Sequence, residues 1–367
     1  MTFDAIHRQL KPSIGLFCGK VSRRNVSQRK VMAINFNVRR ENMFNFLKLS
    51  SKKAQASSDT RLQQARKARA TLGDDFFGGW EEQDAALFAK YSAPSAPQQG
   101  KIIDYFGIRT SADLHPWASH MAGTVNASPP IPDDQLRAEA IEYFATLDAL
   151  ERAPAGSFTV AEFGASYAPW TCFSAVIAAR SGRKDISVTA VEASKYLFSL
   201  IDGHLAENGI SKDSIHVNLI NGAVASEECT LYFPKVANAG ENGGRTETHM
   251  VDVDYVGRAV DHEEVRGYRI ADLLPQGVTD LVHVDIQGME HIVLSSSMDV
   301  LNRQVRCIFI GTHSRKIEGE LLELFHNNGW KLVRERPTAF HYVQDRQEIT
   351  GWTTRDGGQY WVNPRIA

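Results

Sequence analysis

The sequence contains little cysteine and no long apolar run. Its 367 residues include four cysteines, none of them part of a CxxC pair: Cys18, Cys172, Cys229 and Cys307. This pattern predicts neither a disulfide framework nor a thiolate zinc site, so we expect a reducing compartment, the cytoplasm. No stretch approaches the roughly 18 consecutive apolar residues of a membrane span, and the amino terminus lacks the apolar segment of a secretory signal.

Acidic residues are nearly absent from the first 70 positions. This segment holds 16 Lys or Arg against three acidic residues, a charge of +13, whereas residues 71–367 hold 25 basic against 40 acidic residues, a charge of -15. Because it has few apolar clusters, burial cannot offset the entropy lost on ordering, and we predict a disordered basic arm over 1–70. A solvated tail, a mitochondrial-type targeting segment, or sequence upstream of a true start at Met32 or Met43 are the alternatives. The arm lacks the aromatic interleaving typical of RNA-binding segments, so we expect no nucleic-acid partner.

The chain is longer than one ordinary domain, so more than one unit is expected. A composition of 43% hydrophobic and 23% charged residues is that of a soluble globular protein and excludes fibrous and wholly disordered classes. After the arm we predict a mainly helical accessory region over 71–157. Its clearest element is an amphipathic helix from Asp134 to about Arg152, capped by Asp133, whose apolar face should pack on the domain that follows.

Beyond residue 157, short β-branched apolar runs alternate with helical stretches. The runs predict seven strands: Phe158–Phe163, Ile186–Glu192, Ile215–Ile220, Asp280–Ile286, Arg306–Ile310, Trp330–Arg334 and Gln359–Val362. This alternation predicts an α/β domain over 158–367, with a doubly wound, mostly parallel sheet and ligand sites at the carboxyl ends of its strands. Residues 236–266 interrupt the pattern with Gly, Asn and charge, which indicates an insertion or mobile loop at that end.

The first predicted strand ends in an acid and then a turn of small residues that opens a helix. Such a turn, here containing Glu162, Gly164, Ala165 and Ser166, lets backbone approach a nucleotide-like ligand closely. Glu192 lies 30 positions after Glu162, at the end of the second strand, where a carboxylate can accept both hydroxyls of a ribose. After the third strand, Asn221 and Ala223 either contact an adenine or form a plain turn. Together these residues predict a nucleoside pocket.

Two cofactor classes use such a pocket, dinucleotides and S-adenosylmethionine. A dinucleotide needs the amides of a glycine-rich turn on its pyrophosphate, and here Ser166 and Ala168 occupy positions where further glycines would be required. S-adenosylmethionine has no phosphate, and its sulfonium cation tolerates a nearby carboxylate such as Glu162. The sequence therefore favours S-adenosylmethionine, and a Rossmann oxidoreductase that uses NAD or NADP is the alternative.

The most specific run is Asp280-Leu-Val-His-Val-Asp285-Ile-Gln-Gly288-Met-Glu290-His291, a buried strand that ends in a carboxylate and passes through a glycine into a helix. From about Phe158 onward the chain resembles the FkbM-type S-adenosylmethionine-dependent methyltransferases. That family has an acid-x-Gly-Ala turn, an acid after its second strand and an Asp-x-Glu-Gly-x-Glu block. Glu162–Ala165, Glu192 and Asp285–Glu290 match these three motifs in order. Gln287 is the one departure, because the family usually has Glu there.

The resemblance implies a class I methyltransferase (Rossmann-like) fold, with a seven-stranded sheet whose last strand is antiparallel, and S-adenosylmethionine as the cofactor. It also implies O-methylation, often of sugar hydroxyls, so we expect a small-molecule or glycan acceptor. Because Gln287 removes a charge from the motif, a non-catalytic methyltransferase-like binding module is a further hypothesis.

Methyl transfer by in-line displacement requires a proton to leave the acceptor hydroxyl. Asp285, which also belongs to the predicted cofactor site, is the first candidate for the base, and His313 is the second. Each has a structural alternative, a helix cap for Asp285 and a merely hydrogen-bonded histidine for His313. His283, Glu290 and His291 could be grouped with them as a metal cluster, but we expect His283 in the core and no required metal.

Overall fold

The computed structural model describes residues 78–93, 95–241, 243–346 and 348–366. The basic arm predicted over 1–70 lies outside the described residues. Residues Gly73–Ala367 form one compact unit, to which all features below belong. In the described part of the chain, no helix is both long and apolar enough to cross a membrane.

The stretch before residue 157 combines helices with a small sheet. Its α-helices are α1 (Asp84–Tyr91) and α2 (Ala140–Arg152), and two 3-10 helices cover Ala112–Leu114 and Pro116–Met121. Three short strands pair in the order β2-β1-β3: β1 (Lys101–Ile103), β2 (Arg109–Ser111) and β3 (Thr124–Val125). A mainly helical region was predicted here without this sheet, whose strands are too short to show a period in the sequence.

Helix α2 begins six residues later than predicted, at Ala140. The Oδ1 atom of Asp134 accepts hydrogen bonds from three of the backbone amides that follow it, at 2.8–3.0 Å, and so holds this stretch in a turn. The helix cap is Glu139, which forms a capping box with Glu142, and not Asp133. The apolar face of α2 packs on the central sheet, as predicted.

The α/β domain begins with two strand–helix units and a third strand. These elements are β4 (Ser157–Phe163), α3 (Pro169–Arg180), β5 (Asp185–Glu192), α4 (Lys195–Glu207) and β6 (His216–Asn221). Pro169 opens α3, where its missing amide has no helical partner to lose. Ser194 caps α4 by accepting a hydrogen bond from the amide of Leu197. Both helices lie between predicted strands, as the alternating pattern predicts.

An insertion follows β6. Three strands form a separate sheet in the order β7-β9-β8: β7 (Ala223–Ala225), β8 (Cys229–Pro234) and β9 (His262–Arg269). The described residues between β8 and β9 form neither a helix nor a strand, which agrees with the irregular segment expected over 236–266 as far as residue 261, whereas 262–266 belong to β9. The three strands around that segment were not predicted.

The remaining elements alternate again. They are α5 (Ile270–Leu273), β10 (Thr279–Val284), α6 (Glu290–Gln304), β11 (Val305–Thr312), α7 (Arg315–Asn327), β12 (Lys331–Arg336), β13 (Ala339–Phe340), a 3-10 helix (Ile349–Trp352), β14 (Thr353–Arg355) and β15 (Gly357–Val362). Strands β13 and β14 pair only with each other.

The central sheet has seven strands in the order β12-β15-β11-β10-β4-β5-β6. Its strand pairs are parallel, except that β15 runs antiparallel to both of its neighbours. Alternate residues of β4 enter two apolar clusters, one with α2 and α3 and one with α6 and α7, so the sheet is covered on both faces. All seven predicted strands are confirmed, and the topology is that of a class I methyltransferase, a Rossmann-like doubly wound fold. The carboxyl ends of β10, β4, β5 and β6 therefore lie side by side.

Candidate active site

The turn after β4 is pressed against the end of β10. Gly164 has a φ of +77°, in the left-handed region, and a Cβ added to it would overlap the carbonyl oxygen of Asp285. On the other side, the amides of Gly164 and Ala165 both donate to the carbonyl oxygen of Val191 at 3.0 Å. Only glycine permits this approach, which brings together the ends of three neighbouring strands.

A cleft of about 470 Å³ opens at these strand ends. Its walls come from the turns after β4, β5, β6 and β10 and from residues 243–256, which we call the strap. Five of the eight residues predicted to bind the cofactor line this cleft: Gly164, Ser166, Glu192, Ala223 and Asp285. The predicted nucleoside pocket therefore coincides with a real cavity, and the roles of these residues toward a ligand stay predictions.

Glu192 lies at the end of β5 and faces the cleft. Its carboxylate accepts hydrogen bonds from the amides of Ser166 at 2.6 Å and Ser194 at 2.7 Å, so both adjoining turns are tied to it. Burial raises the pKa of Glu192 to about 7, against the effect of these donors. A ligand that donates hydroxyl groups here would favour the ionised form.

Three predicted cofactor residues lie behind the cleft wall, among the residues that shape it. Glu162 is buried and accepts hydrogen bonds from the amides of Trp170 at 3.2 Å and Thr171 at 2.6 Å, so it caps the amino end of α3. Asn221 donates to the carbonyl oxygen of Glu192 at 2.8 Å. Ala165 is the third, and it is fully buried in the turn after β4. These side chains hold the turns in place, and direct contact with a cofactor remains a prediction for them.

Backbone strain is concentrated around the cleft. Of the described residues other than glycine, four have a positive φ, and two of them, Ser166 at 52° and Gln287 at 53°, line the cleft. Such conformations persist where the surrounding structure imposes them, and they cluster at functional sites. The hydroxyl of Ser166 is buried and has no hydrogen-bond partner, so it is free to bond a ligand.

A second, wider cleft of about 1090 Å³ adjoins the first. Its walls come from residues 133–142, from Trp117, and from the ends of β11 and β15, including Asp356. Asp285 lines both clefts, and its side chain is 41% exposed. This carboxylate therefore stands where a ligand in one cleft would meet a ligand in the other.

A buried chain of polar contacts supports Asp285 from behind. Nε2 of His313 lies 3.2 Å from Oδ1 of Asp285, and Nδ1 of the same ring lies 2.8 Å from Oε1 of Glu290. Burial alone would lower the pKa of His313, but Glu290 and Asp285 raise it well above the usual value. In turn, burial would raise the pKa of Asp285, and His313 lowers it below the usual value for an aspartate. The two predicted catalytic residues are thus in contact, with Asp285 in front and His313 behind.

Comparison with known proteins identifies the domain. Residues 159–332 match the family model described as the methyltransferase FkbM domain. These residues form an FkbM methyltransferase domain. A curated relative from Jannaschia sp. (strain CCS1), described as "Putative methyltransferase", is 28% identical over 265 residues, which cover 71% of this chain and 92% of that protein.

Two solved methyltransferase structures are similar to about three fifths of the chain. Methyltransferase FkbM from Methylobacillus flagellatus KT is 11% identical, with 60% of this chain and 54% of that chain covered and a TM-score of 0.35. The ribosomal protein L11 methylase from Lactobacillus delbrueckii subsp. bulgaricus is 14% identical, with 61% of this chain and 80% of that chain covered and a TM-score of 0.32. The fold of the FkbM domain itself follows from its strand order.

Three of the residues considered as a metal cluster lie together, and His283 is not one of them. Ligand atoms of Asp285, Glu290 and His313 lie within 4.8 Å of one another, close enough to hold a metal ion. Their contacts are those of the chain of polar contacts described above, and the expectation that no metal is required stays a prediction. His283 is stacked between the rings of Trp170 and Phe309 in the core, as expected.

Several residues at the FkbM site were not predicted. The strap contributes Gly244 and Thr246 to the first cleft, and Asp356 lies in the second. Glu290 was considered only as a metal ligand, and Gln287 only as a lost charge. The irregular composition of 236–266 was the one signal that pointed to the strap, because such inserted loops at the carboxyl edge often cover ligands.

Proposed function

We propose that this protein is an S-adenosylmethionine-dependent O-methyltransferase that methylates a hydroxyl of a sugar or glycan-type acceptor. The observation that carries the proposal is the position of Asp285, which lines both clefts. A donor in the first cleft and an acceptor in the second would meet at one carboxylate. This is the arrangement that a two-substrate transfer with proton removal requires.

The first cleft fits S-adenosylmethionine better than a dinucleotide. None of the described residues that line it is Lys or Arg, whereas Glu192 and Asp285 supply two carboxylates. A pyrophosphate would find no positive side chain there to balance its charge, whereas the two carboxylates would balance the charge of a sulfonium cation. The unpartnered hydroxyl of Ser166 offers a further hydrogen bond. We assign Glu192 to the ribose and Ala223 to the adenine.

For this reaction the protein has to remove one proton from the acceptor and hold the base in position. When bound, S-adenosylmethionine supplies a methyl group whose bond to sulfur breaks as the acceptor oxygen attacks in line. The acceptor hydroxyl becomes strongly acidic as its oxygen forms the new bond, so even a carboxylate with a low pKa can take the proton. Asp285 accepts that proton, and His313, held by Glu290 at 2.8 Å, keeps the carboxylate in position and balances its charge.

The second cleft has features of a carbohydrate site. Trp117 lies in its wall with 49% of its surface exposed, and its indole nitrogen donates to the carbonyl oxygen of Leu136 at 3.0 Å, which fixes the ring. Arg137 is buried in the same wall and has one guanidinium nitrogen without a partner. A fixed aromatic face beside charged donors and acceptors suits a sugar ring. Trp170, by contrast, is buried in the core and offers no exposed face.

This proposal gives the accessory region a role. We propose a division into an arm over 1–70, an accessory region over 71–157 and a methyltransferase domain over 158–367. The accessory region contributes Trp117 and residues 133–142 to the second cleft. It would therefore select the acceptor, while the FkbM domain binds the donor.

Two measurements test the proposal. Isothermal titration calorimetry should detect S-adenosylhomocysteine binding to the full chain, and NAD and NADP should not bind. Radiolabelled methyl transfer from S-adenosylmethionine should then be measured with a panel of oligosaccharides and their O-acetylated forms, which lack the hydroxyl. Failure to bind S-adenosylhomocysteine would contradict the donor assignment, and transfer that survives O-acetylation would contradict the acceptor assignment.

A further inference from the structure

Gln287 forms a hydrogen-bonded link between Asp285 and the strap. Its Nε2 donates to Oδ1 of Asp285 at 3.0 Å, and its Oε1 accepts from the hydroxyl of Tyr255 at 3.1 Å, a proton shared with the carbonyl oxygen of Gly243 at 3.0 Å. The reverse orientation of the amide would set its oxygen against the carboxylate, so the orientation is determined by charge. Gln287 and Gly288 both have a positive φ, of 53° and 103°, at the point where this link forms.

The link leaves one oxygen of Asp285 free. Gln287 and His313 both approach Oδ1, at 3.0 and 3.2 Å. Oδ2 makes no hydrogen bond with any of the described residues. With Oδ1 hydrogen-bonded to Gln287 and ion-paired with His313, rotation of the carboxylate is restrained and Oδ2 is the atom that can accept the proton of an acceptor hydroxyl.

The strap end of the link is firmly anchored. The guanidinium group of Arg245 lies 4.9 Å from the centre of the Tyr255 ring and pairs with the carboxylates of Glu247 and Glu348. A Cβ on Gly351 would overlap the carbonyl oxygen of Tyr255, so the strap is in close contact there. The same strap supplies the wall of the first cleft. Its position over the donor and the position of Asp285 are therefore physically connected.

We propose that Gln287 and Tyr255 are positioning residues, which orient Asp285 for proton removal and make that orientation depend on the closed position of the strap. This inference rests on the proposed function. A carboxylate at position 287 would lie about 3 Å from Asp285 and repel it, whereas the amide donates to it.

Two substitutions in the full chain test the inference. Gln287→Glu should raise the pH at which Asp285 titrates by at least about one unit, because it replaces a donor with a like charge. That titration can be followed by NMR of the ¹³C-labelled Asp carboxyl carbons, with the Asp285 signal assigned by its loss in Asp285→Asn. With an active acceptor, the acid limb of the pH–rate profile should move in the same direction. Tyr255→Phe should lower kcat about three- to tenfold and leave the affinity for S-adenosylhomocysteine within about threefold.

Gln276→Glu is the matched control, since it makes the same chemical change at an exposed position before β10, at the opposite edge of the sheet. It should change neither the Asp285 titration nor the rate. An Asp285 titration unmoved by Gln287→Glu, or moved equally by Gln276→Glu, would overturn the proposed link. The NMR measurement needs no methyl acceptor. If the Asp285 titration does not move while S-adenosylhomocysteine still binds, only the proposed link is contradicted. If the titration moves as expected but S-adenosylhomocysteine does not bind, the proposed function is contradicted instead.

Discussion

Replacement of Gly164 by Ala is the sharpest test of how this site is built. Gly164 has a φ of +77°, and an added Cβ would overlap the carbonyl oxygen of Asp285. Gly209, at the end of α4, has nearly the same φ of +76°, and a Cβ added there meets nothing within 4 Å. Gly209→Ala therefore measures the backbone penalty alone, and Gly164→Ala measures that penalty together with the clash.

The expected magnitudes differ for this reason. An Ala in the left-handed region costs about 1 to 2 kcal/mol, which is the whole effect at Gly209. At Gly164 the end of β10 or the turn after β4 must also shift, and overpacking of this kind costs about 1 to 3 kcal/mol more. The free energy of unfolding should fall by about 2 to 5 kcal/mol in Gly164→Ala. Because the shift moves the wall of the first cleft, the affinity for S-adenosylhomocysteine should also fall at least about tenfold.

Urea unfolding followed by fluorescence and calorimetric titration with S-adenosylhomocysteine measure the two quantities. Gly209→Ala should keep the affinity of the unaltered protein within about twofold. The reasoning would be refuted if the two variants lost equal stability and both bound the ligand normally, because the close approach of Gly164 to Asp285 would then have no energetic weight.

Three further predictions concern the ligands. Burial raises the pKa of Glu192 to about 7, and its ionised form is the one that accepts ribose hydroxyls, so affinity for S-adenosylhomocysteine should fall about tenfold from pH 8 to pH 6. Glu192→Gln should remove that dependence in the same calorimetric series, and a slope that persists would exclude Glu192 as its source. Asp285→Asn should lower kcat by about 10²- to 10⁴-fold with S-adenosylhomocysteine affinity within about threefold; unchanged methyl transfer would exclude Asp285 as the base. Trp117→Ala should raise the KM of a sugar acceptor about tenfold, whereas Ile292→Ala, at an exposed position on α6, should not.

The strands and most helices of the α/β domain could be predicted from the sequence. Each central strand is a short apolar run, and burial on both faces makes such runs visible without any tertiary information. Local signals also mark where α3 and α4 begin, because Pro169 and Ser194 act through the backbone of their own first turn. The same reasoning failed for α2. Asp134 bonds three amides in a turn of its own, and this competes with its use as part of a helix.

The candidate site was predicted in part. Glu162 and Glu192 have similar positions at the ends of neighbouring strands, and the sequence assigned both to the cofactor. In the structure Glu162 bonds the amino end of α3, while Glu192 faces the cleft. Which of the two carboxylates meets a ligand depends on the helix that packs beside each strand end, and no local pattern carries that information.

The sequence by itself determined the order of the elements and the acids that end the strands, since hydrophobic period and turn chemistry act over a few residues. Tertiary structure alone decided which of those acids share a cavity. Asp285 and His313 are 28 positions apart, and Tyr255 reaches Asp285 through Gln287 from an inserted strap. Such contacts join segments distant in the chain, so they arise only when the parallel strands are aligned and the segments that follow them meet at one edge.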